Sequence, residues 1–382
     1  MSGPILPGAT LGILGGGQLG RMTAMAARSL GYHVHALDPD PSCAARYVVE
    51  RCFTAAFDDA RAAEELARTS SVVTVEIEKI SPESMAAAAR HAPVRPGPEV
   101  LRVVQDRARQ KAWLRGRGFP LGPYREAASE SDLAAALEAL QTSCFVKTSF
   151  GGYDGGGQAR AQGGQAAAAT WEALGRRPVV VEQALDLEAE LSVLVARAPS
   201  GATVVYPPAL NHHEQRILAW SVLPGSLPEA VQSRAQEISA ETARALGVEG
   251  LLVVELFLTR SGELFVNELA PRPHNSFHAT EVACLTSQFE QAVRAVCDLP
   301  LGSSEVVRPA AIANLLGDLW LGGRPPAFDR ALALPGVRLH LYGKRVPRPG
   351  RKMGHLSASG ATPEEAVRRV LEAKARLGSP EL

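Results

Sequence analysis

Residues 11–21, LGILGGGQLGR, join an apolar strand pattern to a helical one through closely spaced glycines. Gly15, Gly17 and Gly20 keep the G-x-G-x-x-G spacing that lets a backbone approach a dinucleotide pyrophosphate at a helix N-terminus, and Asp38 closes HVHALD about where a ribose-binding acid would sit. Around this loop, period-2 apolar runs alternate with helical patterns: TLGILG, residues 19–30, HVHALD, DARAAEELAR, VVTVEI, then SPESMAAAAR opening on a serine cap. Such alternation predicts a βαβαβ unit with a parallel sheet. Taken alone, the fingerprint points to an NAD-dependent oxidoreductase.

The remainder of the chain is organised differently. At 382 residues and 46% hydrophobic content it can fill two or three cores. We place a Rossmann-like domain at 1–103, a lid and linker at 104–188, and a C-terminal mixed domain with a metal hairpin and substrate-binding tail at 189–382. The fold class expected is therefore α/β followed by α+β. Formal charge is zero and no long run of one sign occurs, which disfavours bulk binding to nucleic acid or an anionic membrane and favours a small ligand. The five cysteines include no C-x-x-C pair and are expected to be reduced packing residues. With no apolar stretch near the ~20 residues of a membrane span and no signal-like start, the expected compartment is the cytoplasm. Six lysines against thirty-four arginines make each lysine at a site-like position informative.

Four features carry chemistry. In LLVVELFLTRSGELFVNELA, a four-residue TRSG turn would make Glu268 the diagonal neighbour of Glu255 on one face, two carboxylates in an apolar ribbon suited to Mg²⁺ shared with phosphates. Strict alternation puts Asn267 on the other face unless the strand bends before Pro271. The glycine-rich loop after Lys147, with Tyr153 and Asp154 inside it, offers free backbone amides to an anion. VVVEQALDLEAEL can present a strand end to an adenine edge, with Glu190 accepting from ribose hydroxyls. Finally, NELAPRPHNS and YGKRVPRPGRKMGH gather Arg, His, Asn, Ser and Lys on proline-stiffened loops suited to phosphate or carboxylate ligands.

In this order the segments GILGGGQLGRM, EIE, DRARQK, GGYDGGGQ, VEQ, NELAPRPHNS and YGKRVPRPGRKMGH resemble the ATP-grasp superfamily, and within it the 5-(carboxyamino)imidazole ribonucleotide synthases of purine biosynthesis, over nearly the whole chain. The resemblance implies an ATP-grasp fold with an N-terminal Rossmann-like domain, a small lid and a C-terminal mixed domain. It also implies that the first glycine loop lies beside a ribose phosphate rather than NAD. By the same resemblance, Arg107 and Lys147 contact ATP phosphates under a lid of Gly152, Tyr153, Asp154, Gly155, Gly156, Gly157 and Gln158. Glu182, Gln183, Ala184 and Leu185 bind adenine, Glu190 the ribose and His213 the nucleotide region. Glu255, Glu268 and Asn267 hold Mg²⁺. Gln18, Leu19, Glu76, Tyr153, Asp154, Arg272, His274, Asn275, Ser276, Lys344 and Arg351 surround aminoimidazole ribonucleotide and bicarbonate, with Lys147, Arg272 and His274 as the catalytic set.

The implied reaction is attack of bicarbonate on the γ-phosphate of ATP, then transfer of the carboxyl group to the exocyclic amine of the ribonucleotide, without biotin and in a homodimer. The alternative is a related ATP-grasp ligase such as the formate-dependent glycinamide ribonucleotide transformylase. Two positions depart from the family pattern: Gly156 replaces a basic loop residue, and Arg216 stands where glycine is frequent.

Overall fold

Three sheets organise the chain in the computed structural model, which describes residues 3–151, 157–323 and 325–378. The first is parallel, in the order Arg51–Thr54, His33–Asp38, Thr10–Leu14, Val72–Val75. The strands Thr10–Leu14 and Val72–Val75 are buried nearly throughout, which is why they read as short continuous apolar runs. Ser81 caps its helix as expected, accepting from the Ser84 amide.

A second, antiparallel sheet of four strands runs Tyr124–Ala127, Val179–Gln183, Cys144–Thr148, Gln158–Ala161. The third is a nine-stranded antiparallel sheet that begins Leu264–Ala270, Gly250–Thr259, Leu187–Arg197, Ala209–Glu214 and ends Ala310–Leu316, Lys352–Ser359, Val337–Leu341. The strand Lys352–Ser359 corrects the sequence reading, in which RKMGH belonged to a proline-stiffened loop. It lies second from the sheet edge, buried along nearly all its length, so Lys352 and His355 are interior residues. His355 shares a hydrogen bond of 2.8 Å with the Tyr342 hydroxyl and stacks on His278 at 4.4 Å, and burial pushes both imidazoles well down, keeping them neutral.

The large sheet positions the site through strand periodicity. Along Gly250–Thr259, Leu252, Val254, Leu256 and Leu258 pack with Ala235 and Ile238 of the helix Glu229–Leu246. Leu251 and Val253 face the other way, under Phe277 and Ala279. On that second face Glu255 and Phe257 come next, and there they line a cavity. One alternation thus builds both a buried ribbon and the floor of a site.

Candidate functional site

The first glycine loop is occupied by the protein itself. Both Glu76 carboxylate oxygens accept from the N-terminus of the helix Gln18–Ser29, from the Gly17 and Gly20 amides at 2.9 Å each, while Gly16 donates to Asp38 at 2.7 Å. These are the donors a pyrophosphate would use, and the helix dipole favours a carboxylate there as it would a phosphate. Gly15 sits at φ +108°, and a Cβ on it would lie 2.3 Å from Glu76 Cγ, so the glycines serve this internal packing. Burial pushes the Glu76 carboxyl up to about 7 despite those two amides and nearby Arg272. NADH added to the protein should therefore give no saturable change in its fluorescence; a saturable signal would restore the oxidoreductase reading.

A cavity of about 440 Å³ lies between the second and third sheets and gathers most of the residues singled out from sequence. Arg107, Lys147, Gly157, Gln158, Glu182, Gln183, Leu185, Glu190 and His213 line it, with Glu255, Asn267, Glu268, Arg272, His274 and Asn275. Ser276 is buried behind this wall and shares a hydrogen bond of 2.8 Å with His274 Nδ1. Gly152, Tyr153, Asp154, Gly155 and Gly156 lie outside the described residues.

The hairpin differs from the predicted register. Its loop has three residues, with Thr259 N donating to Glu263 O at 3.0 Å and Gly262 at φ +85°, so Leu258 pairs with Leu264 rather than Glu263. That register alone would set Asn267 opposite Glu255. A bulge at Asn267 then brings Glu268 opposite Glu255 as well. The bulge is what collects all three groups: Asn267 Nδ2 lies 3.4 Å from Glu255 Oε2, and Arg107 reaches Glu268 at 3.7 Å.

Charge around the trio is uneven. Burial works against ionisation of Glu255, yet His274 at 3.1 Å, His213 and Lys147 hold its carboxyl well below the usual range. Glu268 is raised, first by burial and then by Glu255, with Arg107 pulling the other way. Two facing carboxylates, one of which ionises reluctantly, form a set of hard oxygen donors that a divalent cation would relieve, and the fit to Mg²⁺ rests on this.

Beside the trio, Glu182 is clamped between Lys147 at 2.5 Å and Lys111 at 2.8 Å. Although burial opposes it, the two ammonium groups hold the Glu182 carboxyl at about 2. Lys111 shifts in the opposite sense from its partner's gain, its own burial pushing it down. Lys147 Nζ also lies 3.5 Å from Asn267 Oδ1, so one ammonium spans the strand end and the acid hairpin. The Gln183 and Ala184 amides donate to the Pro123 and Ser143 carbonyls, and Gln183 and Leu185 line the cavity at this strand end. Apolar walls for a base come from Phe145, Leu187, Leu218 and Phe257. His213 Nδ1 lies 3.0 Å from Glu190, and although burial lowers it, Glu190 and Glu255 raise its pKa overall. Arg216 keeps a left-handed φ of +68° and donates to Gln158 O at 3.1 Å, tying the third sheet to the second.

A second cavity, of about 490 Å³, gathers further residues of the expected ribonucleotide set. Gln18, Leu19, Glu76, Lys344 and Arg351 line it, together with Arg345 and Arg348. Arg272, in the first cavity, pairs with Glu78 at 2.7 Å, two residues from Glu76, and so marks where the two spaces approach. Lys111, Lys352, Glu78, Arg345 and Arg348 escaped the sequence reading. Lysine scarcity was the signal for the first two, lying in the quoted DRARQK and GRKMGH.

Three family models cover the chain in succession: a ribonucleotide synthetase preATP-grasp domain over residues 8–105, an ATP-grasp domain over 112–289, and a phosphoribosylaminoimidazole carboxylase C-terminal domain over 310–369. The chain is 38% identical over 371 residues to the N5-carboxyaminoimidazole ribonucleotide synthase of Bacillus subtilis, covering 96% of this chain and 95% of that protein. It is 40% identical over 353 residues to the enzyme of that name from Brucella melitensis, covering 92% and 96%. Among solved structures, an N5-carboxyaminoimidazole ribonucleotide synthetase in its ADP complex superposes with a TM-score of 0.92 at 37% identity, covering 98% of each chain. An Aspergillus clavatus N5-carboxyaminoimidazole synthase with ADP and 5-aminoimidazole ribonucleotide gives a TM-score of 0.87 at 30% identity, covering 97% and 98%. The fold is thus ATP-grasp.

Proposed function

The chain belongs to the N5-carboxyaminoimidazole ribonucleotide synthase family of ATP-grasp ligases, and from that premise we propose that it carboxylates the exocyclic amine of 5-aminoimidazole ribonucleotide with bicarbonate at the expense of ATP. The observation that carries this reading is the pairing of two cavities. One is lined by facing carboxylates, lysines and apolar side chains together; the second is lined by Lys344, Arg345, Arg348 and Arg351 beside the first glycine loop. The C-terminal domain match over residues 310–369 favours the carboxylating reading over the transformylase.

In this reading the adenine lies between Phe145, Leu187, Leu218 and Phe257, and the ribose meets Glu190. Lys147 and Arg107 then receive the phosphates, where fixed positive charge offsets the negative charge that develops as bicarbonate attacks the γ-phosphate. Mg²⁺ held by Glu255, Glu268 and Asn267 would neutralise phosphate oxygens. His274, fixed between Ser276 and Glu255, and Arg272, fixed by Glu78, face the region where carboxyphosphate meets the amine. A closed site keeps water from that acyl phosphate. Lys344 and Arg351 take the ribonucleotide phosphate in the second cavity, with Gln18 and Leu19, which follow the filled glycine loop, beside it. The family resemblance carries with it a cytoplasmic homodimer; among the described residues, no helix is long and apolar enough to cross a membrane.

Release of ADP should require the ribonucleotide and bicarbonate together, read in a coupled assay with each omitted in turn. ADP release indifferent to both would count against the proposal. Arg351→Ala should mainly weaken ribonucleotide binding, and an unchanged affinity in a binding titration would remove Arg351 from the site.

A further inference from the structure

Two of the five cysteines are in contact. Cys52 lies on the strand Arg51–Thr54, paired with Ala36 of the neighbouring strand, and the connection between those strands returns Cys43 to it with an Sγ–Sγ distance of 3.7 Å. The two thiols are unequal. Either sulfur can donate to the other; with Cys43 as donor and Arg46 beside Cys52, the Cys52 thiol is pulled down against its burial while Cys43 is pushed up. Burial raises the other three, Cys284 to about 12, Cys297 to about 11, and Cys144 in the same direction. The pair therefore joins a thiolate-forming, partly exposed sulfur to a neighbouring thiol, the arrangement of a reactive and a resolving cysteine.

We propose that Cys43 and Cys52 are a site of oxidative modification that takes a hydroperoxide and closes to a disulfide in the wall of the second cavity. The Cys52 thiolate attacks the peroxide O–O bond, giving a sulfenic acid and, with one proton, an alcohol or water. The Cys43 sulfur then displaces hydroxide from that sulfenic acid, forming the S–S bond, and its proton leaves with the hydroxide as water. Two thiols are oxidised and one peroxide is reduced.

Closure must bring the sulfurs from 3.7 Å to about 2 Å. Cys43 lines the second cavity, and its sulfur lies 2.5 Å from where a Cβ on Gly16 would stand. Ala45 N also donates to Gly16 O at 2.8 Å, so movement of residues 43–45 is transmitted to the first glycine loop. The consequence for ribonucleotide binding rests on the function proposed above; the disulfide itself does not.

The test treats the full chain with dilute hydrogen peroxide, then counts free thiols after denaturation and maps linked peptides. Thiols should fall from five to three, with the mass lower by two hydrogens and a Cys43–Cys52 peptide recovered. Cys52→Ser should keep its four remaining thiols and its basal ADP release. Five thiols surviving in the parent chain, or a different linkage, would overturn the proposal. Ribonucleotide affinity should drop on oxidation and return with dithiothreitol; a disulfide that leaves it unchanged would overturn the coupling to the cavity. Failure of the reduced protein to bind the ribonucleotide would instead count against the proposed function, with the thiol count still deciding the modification.

Discussion

Glu268→Gln should lower turnover by on the order of 10²-fold or more, the scale expected on removing one preorganised electrostatic group from a reacting centre. The amide is nearly isosteric, so packing against the bulge at Asn267 should survive and the thermal transition should stay close to that of the parent chain. What changes is charge. Glu255 loses its facing carboxylate, Arg107 loses the acid 3.7 Å away, and the oxygen donors available to a divalent ion lose one formal negative charge. ADP release measured with ribonucleotide and bicarbonate at saturating ATP gives the comparison. Parent-level turnover in Glu268→Gln would dismiss the hairpin acids from the phosphate chemistry, whatever the family resemblance.

The largest expected stability effect is at Glu182. Its carboxylate is the anion of a nearly buried triad with Lys111 and Lys147, and Glu182→Gln leaves two ammonium groups facing each other across a neutral amide. Removing one partner of a buried ion pair costs about 3–5 kcal/mol, and that loss should be measured as a lower urea midpoint. The pH dependence has a definite sign. Because the folded carboxyl sits at about 2, below its ordinary value of 4.5, its contribution is present above pH 4.5 and is lost as pH falls towards 2. Glu182→Gln should flatten that acid limb. A variant as stable as the parent at neutral pH, with the same acid limb, would show that the triad contributes nothing.

How much of this was legible beforehand differs by residue. The parallel sheet and the Ser81 cap follow from local periodicity, and local periodicity is what fixes them. Lys147 stands out because lysine is rare in this chain and a glycine loop follows it; the same rarity applies to Lys111, but it sits in a helical pattern with no such loop beside it. Asn267 shows a different limit. A loop one residue shorter than TRSG turns it to the face of Glu255, and only a bulge that nothing in VNELAP announces keeps Glu268 on that face as well. The strand Lys352–Ser359 was hidden by its own composition, because a lysine and a histidine read as solvent-exposed until a long sheet encloses them. Glu76 lines the second cavity, yet its bonds to Gly17 and Gly20 depend on contacts between residues 59 and 56 positions apart, which no local pattern encodes.

Those two bonds have a consequence for any search that relies on the glycine fingerprint. In this chain the cradle's seat is taken by a side chain grown from the neighbouring strand, a built-in tenant that stitches the sheet edge to the helix start. The spacing of the glycines reports only that something anionic must be lodged there. Whether the lodger arrives from solution or is supplied by the polypeptide is decided by the residue just past Val75.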